Sequence, residues 1–372
     1  MSDLEGRPAL LRRAPRARGG ELLASHDQAS LAALLERTGA PASTARAAAG
    51  KAIRHAYRSD GAWTDAALAA IDVGAWARPT LLALDIAPSL EIVAEAPSSD
   101  DTVRLALRAR DGALIEAVLI PGPARTTLCL SSQVGCARAC SFCETGRLGL
   151  DRQLDAGEII DQVRVAIGVW ARRTGATPPL QNLVFMGMGE PFDNLAEVTR
   201  AIRLLTDGRA FGFAPSRVTV STVGVADKLE AFFAGCRAEL AVSLNAPDDA
   251  RRSAIMPINE RVPLADLHRA LARFVPRARK VLFEYVLFDG FNDGEEDAEQ
   301  LAAYVAGLRC RVNVIPSNPG PDPSLRPPSV ERLERFVARL SALGVTTLVR
   351  RPRGRDVGGA CGQLAGALRE IA

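Results

Sequence analysis

The chain has 372 residues, 48% of them apolar, and a formal net charge of +3, enough for one large domain and a smaller one built on a real core. No apolar run reaches the ~18 residues needed to cross a bilayer, and the first residues lack the charged-then-apolar order of a secretory signal, so a cytoplasmic protein with no membrane partner is expected. Seven cysteines, three of them crowded into positions 136–143, exclude a small disulfide scaffold and point to reduced thiols serving a metal or catalysis.

Residues 1–28 are rich in Arg, Gly and Pro and read as a flexible arm, with Arg12, Arg13, Arg16 and Arg18 clustered in it. Residues 29–95 read as a helical accessory domain, because Leu31, Leu34 and Leu35, then Ala48, Ile53, Ala56 and Tyr57, recur at helical spacing. Over 96–121 the alternation of Val103, Leu105 and Leu107, and of Ile115, Ala117 and Leu119, about Asp111-Gly112 gives a β-hairpin extension. Glu116 falls in its second strand, on the face opposite Ile115 and Ala117 if alternation is regular, and a solvated face is its plain reading.

From 122 to 355 short apolar strands alternate with amphipathic helices. Strands are expected at 127–130, 183–186, 218–221, 240–244, 281–287 and 312–315, and helices at about 156–172, 195–206, 226–233, 264–274 and 295–307. Such repeats build a parallel sheet with helices outside, here an α/β partial (β/α)6 barrel of the TIM type, with chemistry on the loops after the strands. A further strand at 346–349 and a C-terminal loop and helix over 356–372 complete the chain.

The loop after the first of these strands holds Cys136-Ala-Arg-Ala-Cys140-Ser-Phe-Cys143. Three thiolates ligate three irons of a cubane and leave the fourth open for chemistry. Zinc is the alternative, but it favours four ligands, and none of the three histidines is near the triplet in sequence. The triplet spacing resembles that of the radical S-adenosylmethionine superfamily, in which the open iron chelates the amino and carboxylate groups of that cofactor. Gly187-Met188-Gly189-Glu190-Pro191 follows the second strand, and its carbonyls and carboxylate are the acceptors an ammonium needs. Ser221, Ser243, Leu244, Asn245 and Asn318 fall at or just past strand ends. Singly they are strand caps; together they line a rim suited to a ribose and an adenine. Cys361, flanked by glycines and preceded by Arg350, Arg351, Arg353 and Arg355, is either a small buried hydrophobe or a thiol activated by positive charge. Cys129, inside a strand, reads as core packing.

Taken together, Cys129-Leu-Ser-Ser-Gln-Val-Gly-Cys136-Ala-Arg-Ala-Cys140-Ser-Phe-Cys143, Met186-Gly-Met-Gly-Glu-Pro191 and Ala360-Cys361-Gly-Gln-Leu-Ala-Gly366 resemble the RlmN/Cfr family of radical S-adenosylmethionine RNA methyltransferases, over about residues 45–370. The resemblance implies one [4Fe-4S] cluster on Cys136, Cys140 and Cys143, with S-adenosylmethionine bound by Gly189, Glu190, Ser221, Ser243, Leu244, Asn245 and Asn318 and two molecules used per turnover. It makes Cys361 the methylated cysteine, Cys129 its transient disulfide partner and Glu116 the proton acceptor. The implied product is an adenosine methylated at C2 in 23S ribosomal RNA, with transfer RNA a second substrate. The C8-methylating, antibiotic-resistance type and an RNA-binding iron-sulfur protein without methylation activity are the alternatives. A monomer served by an external reducing system is expected, with the N-terminal helices and the 350–355 stretch as candidate RNA contacts. Asn245 stands where relatives commonly have His, Ser317 where an aromatic is common, and Gly358-Gly359 where residues are bulkier.

Overall fold

A computed structural model describes residues 21–58 and 63–364. The Arg12–Arg18 cluster and the terminal helix expected after 364 lie outside the described residues. Residues 21–28, read from sequence as the end of an arm, are packed. Leu23 is buried, and its N–H donates to the Asp85 carbonyl at 3.0 Å. Asp27 then caps helix α1 (Gln28–Glu36), its carboxylate accepting from Ser30 N at 2.8 Å. Helices α1, α2 (Ala42–Arg58), α3 (Asp65–Ala70) and α4 (Arg78–Leu82) form the N-terminal layer, with α1 packed on α2.

Four antiparallel strands follow: β1 (Leu90–Pro97), β2 (Val103–Ala109), β3 (Leu114–Pro121) and β4 (Thr126–Cys129). The expected hairpin is β2–β3, but β1 precedes it, inside the stretch read as helical. A bulge between Ile92 and Ala94 breaks its alternation, so no clean period of two marks it. Strand β3 is buried on both faces, which corrects the solvated reading of Glu116. Helix α5 (Ala156–Thr174) packs on β1 and β3.

The sheet turns parallel at β4. In spatial order β7 (Leu180–Phe185), β8 (Val218–Thr222), β9 (Glu239–Ser243), β10 (Val281–Leu287), β11 (Cys310–Pro316) and β12 (Thr347–Val349) follow β4, each neighbour parallel. Helices α6 (Leu195–Thr206), α7 (Leu229–Gly235), α9 (Leu264–Phe274), α10 (Glu295–Val305) and α11 (Val330–Ala342) alternate with them. Helix α11 and the short α8 (Asp249–Ile255) have no counterpart in the sequence analysis. β1 and β12 are the two edges of the ten-stranded sheet, so the barrel is open. A small hairpin, β5 (Gln133–Cys136) with β6 (Gly149–Gln153), stands apart from the sheet and frames the cysteine loop.

Candidate active site

Strand β5 ends on Cys136, which pairs with Gly149 of β6. The chain then turns through Ala139 at φ +52°, with Cys143 N donating to Cys140 O and Gly146 N to Cys143 O, both at 3.1 Å. Arg138 clamps the loop outward by a two-pronged pair with Asp193 (Nε to Oδ2, 2.7 Å). Cys136, Cys140 and Cys143 all border one open cavity. Burial pushes the Cys136 thiol up to about 12 and raises Cys140 and Cys143 as well, so the site favours cationic metal over bare thiolates. Among the described residues no three His, Cys, Asp or Glu side chains meet at a point that holds a single ion. Two buried thiols and a half-buried one on a single loop, all facing one cavity, fit a cluster.

Across the cavity, the segment after β7 approaches the cysteine loop's base at backbone distance. A Cβ on Gly187 would lie 2.6 Å from Leu130 O, and one on Gly189, at φ +99°, would lie 2.5 Å from Gln133 Cβ. Only glycine fits both positions. This closeness places Glu190 on the cavity wall. Its carboxylate accepts from Phe192 N and Val223 N, each at 2.9 Å, and its own N–H donates to Gln133 Oε1 at 2.7 Å. Burial pushes the carboxyl up to about 7 despite these bonds. A carboxylate offers about four acceptor positions, so an ammonium can share it.

Ser221, Ser243, Asn245 and Asn318 border the same cavity from the ends of β8, β9 and β11. Leu244 does not: it is fully buried in the core, and its N–H donates to Glu284 O at 2.9 Å. Asn245 sits at φ +60°, its side chain accepting from Val286 N at 3.0 Å. Behind this rim lies Arg252, fully buried, which donates to the carbonyls of Val223 (2.7 Å), Ser243 (3.2 Å) and Leu244 (3.1 Å) and to Asn259 Oδ1 (2.8 Å). Sequence reading missed it, because Asp248-Asp249-Ala250-Arg251-Arg252 looks like a solvated helix start.

Cys361 borders this cavity and also a smaller neighbouring one, which Cys129, Met186 and Arg350 line too. The plain reading of Cys129 as core packing is thus only half of its setting: it is buried at the end of β4 and faces this second cavity. Burial first, then the nearby Cys361, push its thiol up to about 12, with Arg350 pulling it down. The Cys361 loop is stitched to the cysteine loop: Glu144 N donates to Gly362 O at 2.8 Å and Thr145 Oγ1 to Leu364 O at 2.9 Å. Asn318 Nδ2 donates to Cys361 O at 3.2 Å. Glu116 borders neither cavity. It is fully buried and accepts from Arg104 Nη1 at 3.0 Å, and a Cβ on Gly358, in the turn leading to Cys361, would lie 3.6 Å from that guanidinium. In the 350–355 stretch, expected as a candidate RNA contact, Arg351 and Arg355 are exposed, and three of the arginines have contacts within the chain. Arg353 pairs with Asp100, Arg355 donates to Asn318 Oδ1 at 2.7 Å, and Arg350 turns into the cavities.

The radical SAM superfamily pattern matches residues 130–302, from just past β4 into α10. A probable RNA methyltransferase of Sorangium cellulosum is 70% identical over 373 residues, covering 99% of this chain and 93% of that protein. A dual-specificity RNA methyltransferase RlmN of Anaeromyxobacter dehalogenans is 46% identical over 280 residues, 74% of this chain and 75% of its own. The chain belongs to the RlmN/Cfr family of radical S-adenosylmethionine RNA methyltransferases. The crystal structure of a radical SAM methyltransferase from Sphaerobacter thermophilus, 41% identical, superposes with a TM-score of 0.80 over 93% of this chain and 99% of that one. This chain is a radical SAM RNA methyltransferase of the RlmN type, and that family carries a [4Fe-4S] cluster and uses S-adenosylmethionine. Among the described residues no helix is long and apolar enough to cross a membrane.

Proposed function

We propose that this enzyme methylates C2 of an adenosine in 23S ribosomal RNA, and of an adenosine in transfer RNA, through a methylated Cys361 and a transient Cys129–Cys361 disulfide. One observation carries the reading: Cys361 borders both the cavity of the three cluster cysteines and the cavity of Cys129. Cys136, Cys140 and Cys143 hold the cluster. Glu190 and the Gly189 backbone receive the methionyl ammonium, while Ser221, Ser243, Asn245 and Asn318, with Leu244 packed behind them, receive the ribose and adenine. When bound, cluster and cofactor supply a methyl group and a radical that activates it, so two S-adenosylmethionine molecules serve each turnover.

The adenine C2 carbon is too electron-poor to take a methyl by displacement, whereas the Cys361 thiolate can. Once the carbon carried by Cys361 is joined to the base, a ring proton must leave. We assign that step to Glu116, whose partner Arg104 packs beside the turn into Cys361. The Cys129 thiolate then attacks the Cys361 sulfur to form the disulfide, the broken sulfur–carbon bond leaves its electron pair on the transferred carbon, and that carbon takes up a proton to give the free methylated base. The resulting disulfide must be reduced by an external donor before the next cycle. The target base has to leave its stack to reach Cys361. A concave patch bordered by Lys51, Arg54, His55 and Arg209 on and beside α2 suits RNA phosphates. The chain works in the cytoplasm as a monomer in this reading.

Cys361→Ala should abolish methylation, and Cys129→Ala should leave the protein covalently attached to RNA on a denaturing gel. Normal turnover of Cys129→Ala without a crosslink would falsify the scheme. Mass spectrometry of the product nucleoside separates C2 from C8 methylation.

A further inference from the structure

Two residues that line the main cavity each carry a buried side-chain oxygen with no hydrogen-bond partner among the described residues: Glu284 Oε1 and Ser317 Oγ. Glu284 lies within β10, in register with Ser243 of β9 on one side and Asn313 of β11 on the other. Its Oε2 accepts from Asn313 Nδ2 at 2.9 Å. Glu284 is 4% exposed and Ser317 1% exposed, so bulk water does not satisfy them. An unmade hydrogen bond on a buried acid is costly, so such an atom calls for a partner. A charged residue inside the apolar run Val281-Leu-Phe-Glu284-Tyr-Val-Leu287 has no packing reason to be there. Burial raises the Glu284 carboxyl above its ordinary range, with Arg350 and Asn313 opposing.

We infer that Glu284 Oε1 and Ser317 Oγ are hydrogen-bonding contacts for an adenosine held in this cavity, taking a donor from its ribose hydroxyls or its exocyclic amine. The inference rests on the methyltransferase reading above, in which two adenosines, that of S-adenosylmethionine and that of the RNA, meet in this space. A carboxylate accepting from a ribose hydroxyl is a recurrent solution in nucleotide sites, and here the acid stands level with the Ser243 rim. The adenosine is that of the cofactor or that of the RNA, and each has its own measurement.

The test uses the full chain with its cluster reconstituted anaerobically, with iron per chain measured for every variant. S-adenosylhomocysteine, which cannot donate a methyl, is bound in equilibrium dialysis without RNA. Separately, a substrate RNA hairpin is crosslinked in the Cys129→Ala background. Glu284→Ala should weaken S-adenosylhomocysteine about tenfold or more, as for loss of a bond to a charged group, and Glu284→Gln, which keeps an acceptor, should recover most of it. Ser317→Ala removes one atom group and should cost about threefold to fivefold, with iron content unchanged. If dialysis is unmoved but crosslinking falls, the RNA adenosine is the ligand and the inference stands. If both are unmoved in Glu284→Ala and Ser317→Ala, these oxygens hold only water and the inference is overturned. Wild-type protein that fails to bind S-adenosylhomocysteine would instead overturn the function reading.

Discussion

Glu190 and Cys129 show how burial sets the chemistry of single groups. The Glu190 carboxyl is pushed up to about 7 from an ordinary 4.5. Its folded value exceeds its unfolded one, so the native state holds the extra proton, and stability of the ligand-free chain falls as pH rises from about 4.5 to 7. The shift corresponds to about 3 kcal/mol. Glu190→Gln should therefore flatten the decline in Tm between about pH 5 and 8 while weakening S-adenosylmethionine binding. An unchanged Tm profile would mean that the carboxyl ionises freely. Cys129 stays protonated at neutral pH, held up to about 12. Release of RNA from the Cys361 adduct should then speed about tenfold per pH unit between roughly pH 7 and 9, without a plateau. Rapid-quench sampling of the adduct measures this, and a plateau inside that window would show the thiol already ionised.

The hairpin β5–β6 is the element that presents the cysteine loop, and an arginine on β6 ties it to α5 and to the β2–β3 turn. Arg152 of β6 donates to Glu158 through Nη1 and Nη2, both at 2.7 Å, and to Asp111 through Nε and Nη2 at 2.7 and 2.9 Å. Side-chain exposures are 13% for Arg152, 1% for Asp111 and 5% for Glu158. Glu158 also closes the capping box of α5 with Asp155. Arg152→Ala strands two buried carboxylates and should cost about 3–5 kcal/mol in urea unfolding. Arg152→Lys should recover little, lacking the fork, and iron retained per chain should drop in both. Equal urea midpoints would remove this anchor from the account. None of it was legible in the sequence, because β5 and β6 are too short and too mixed in composition to show a period. The parallel strands were legible, since runs such as Val281–Leu287 are apolar throughout except for Glu284, and so were the three close-spaced cysteines. Glu284 itself carried a signal that went unread, a lone acid in a buried strand. Arg252 carried none, because its partners are three carbonyls at the ends of two strands, β8 and β9, and the Asn259 side chain, brought together only by folding.

At the scale of the whole molecule the open sheet poses a question: what holds the Cys361 loop over a barrel that does not close? The described contacts reach the β1–β2 turn at one end of the sheet and the loop after β11, one strand in from the other edge. On the β1–β2 side, Asp100 accepts from Arg353 Nε at 2.7 Å and from Gly354 N at 3.0 Å, and Asp356 accepts from Ser98 Oγ and Ser99 N. On the β11 side, Arg355 donates to Ser317 O at 2.8 Å and to Asn318 Oδ1. The loop is thus a strap between the antiparallel extension and the parallel end of one sheet, and Cys361 rides on it. These bonds lie at a partly exposed surface, so each contributes less than a buried pair, and the strap is a local opening unit of low stability. Asp100, whose carboxyl is held well below the usual range by hydrogen bonds to Thr102, Gly354 and Arg353 against the cost of burial, keeps its charge across the physiological range. Asp100→Ala should release the strap, and Asp100 itself borders neither cavity. Alkylation of Cys361 by iodoacetamide, followed by peptide mass spectrometry, should then speed roughly fivefold to tenfold. Methyl transfer to Cys361 should slow in the same variant, and iron per chain should stay at the wild-type value, because Glu144, Thr145 and the cysteine loop keep their own framework on β5–β6. An alkylation rate equal to wild type would mean that the β11 side and the cysteine loop alone hold Cys361 in place.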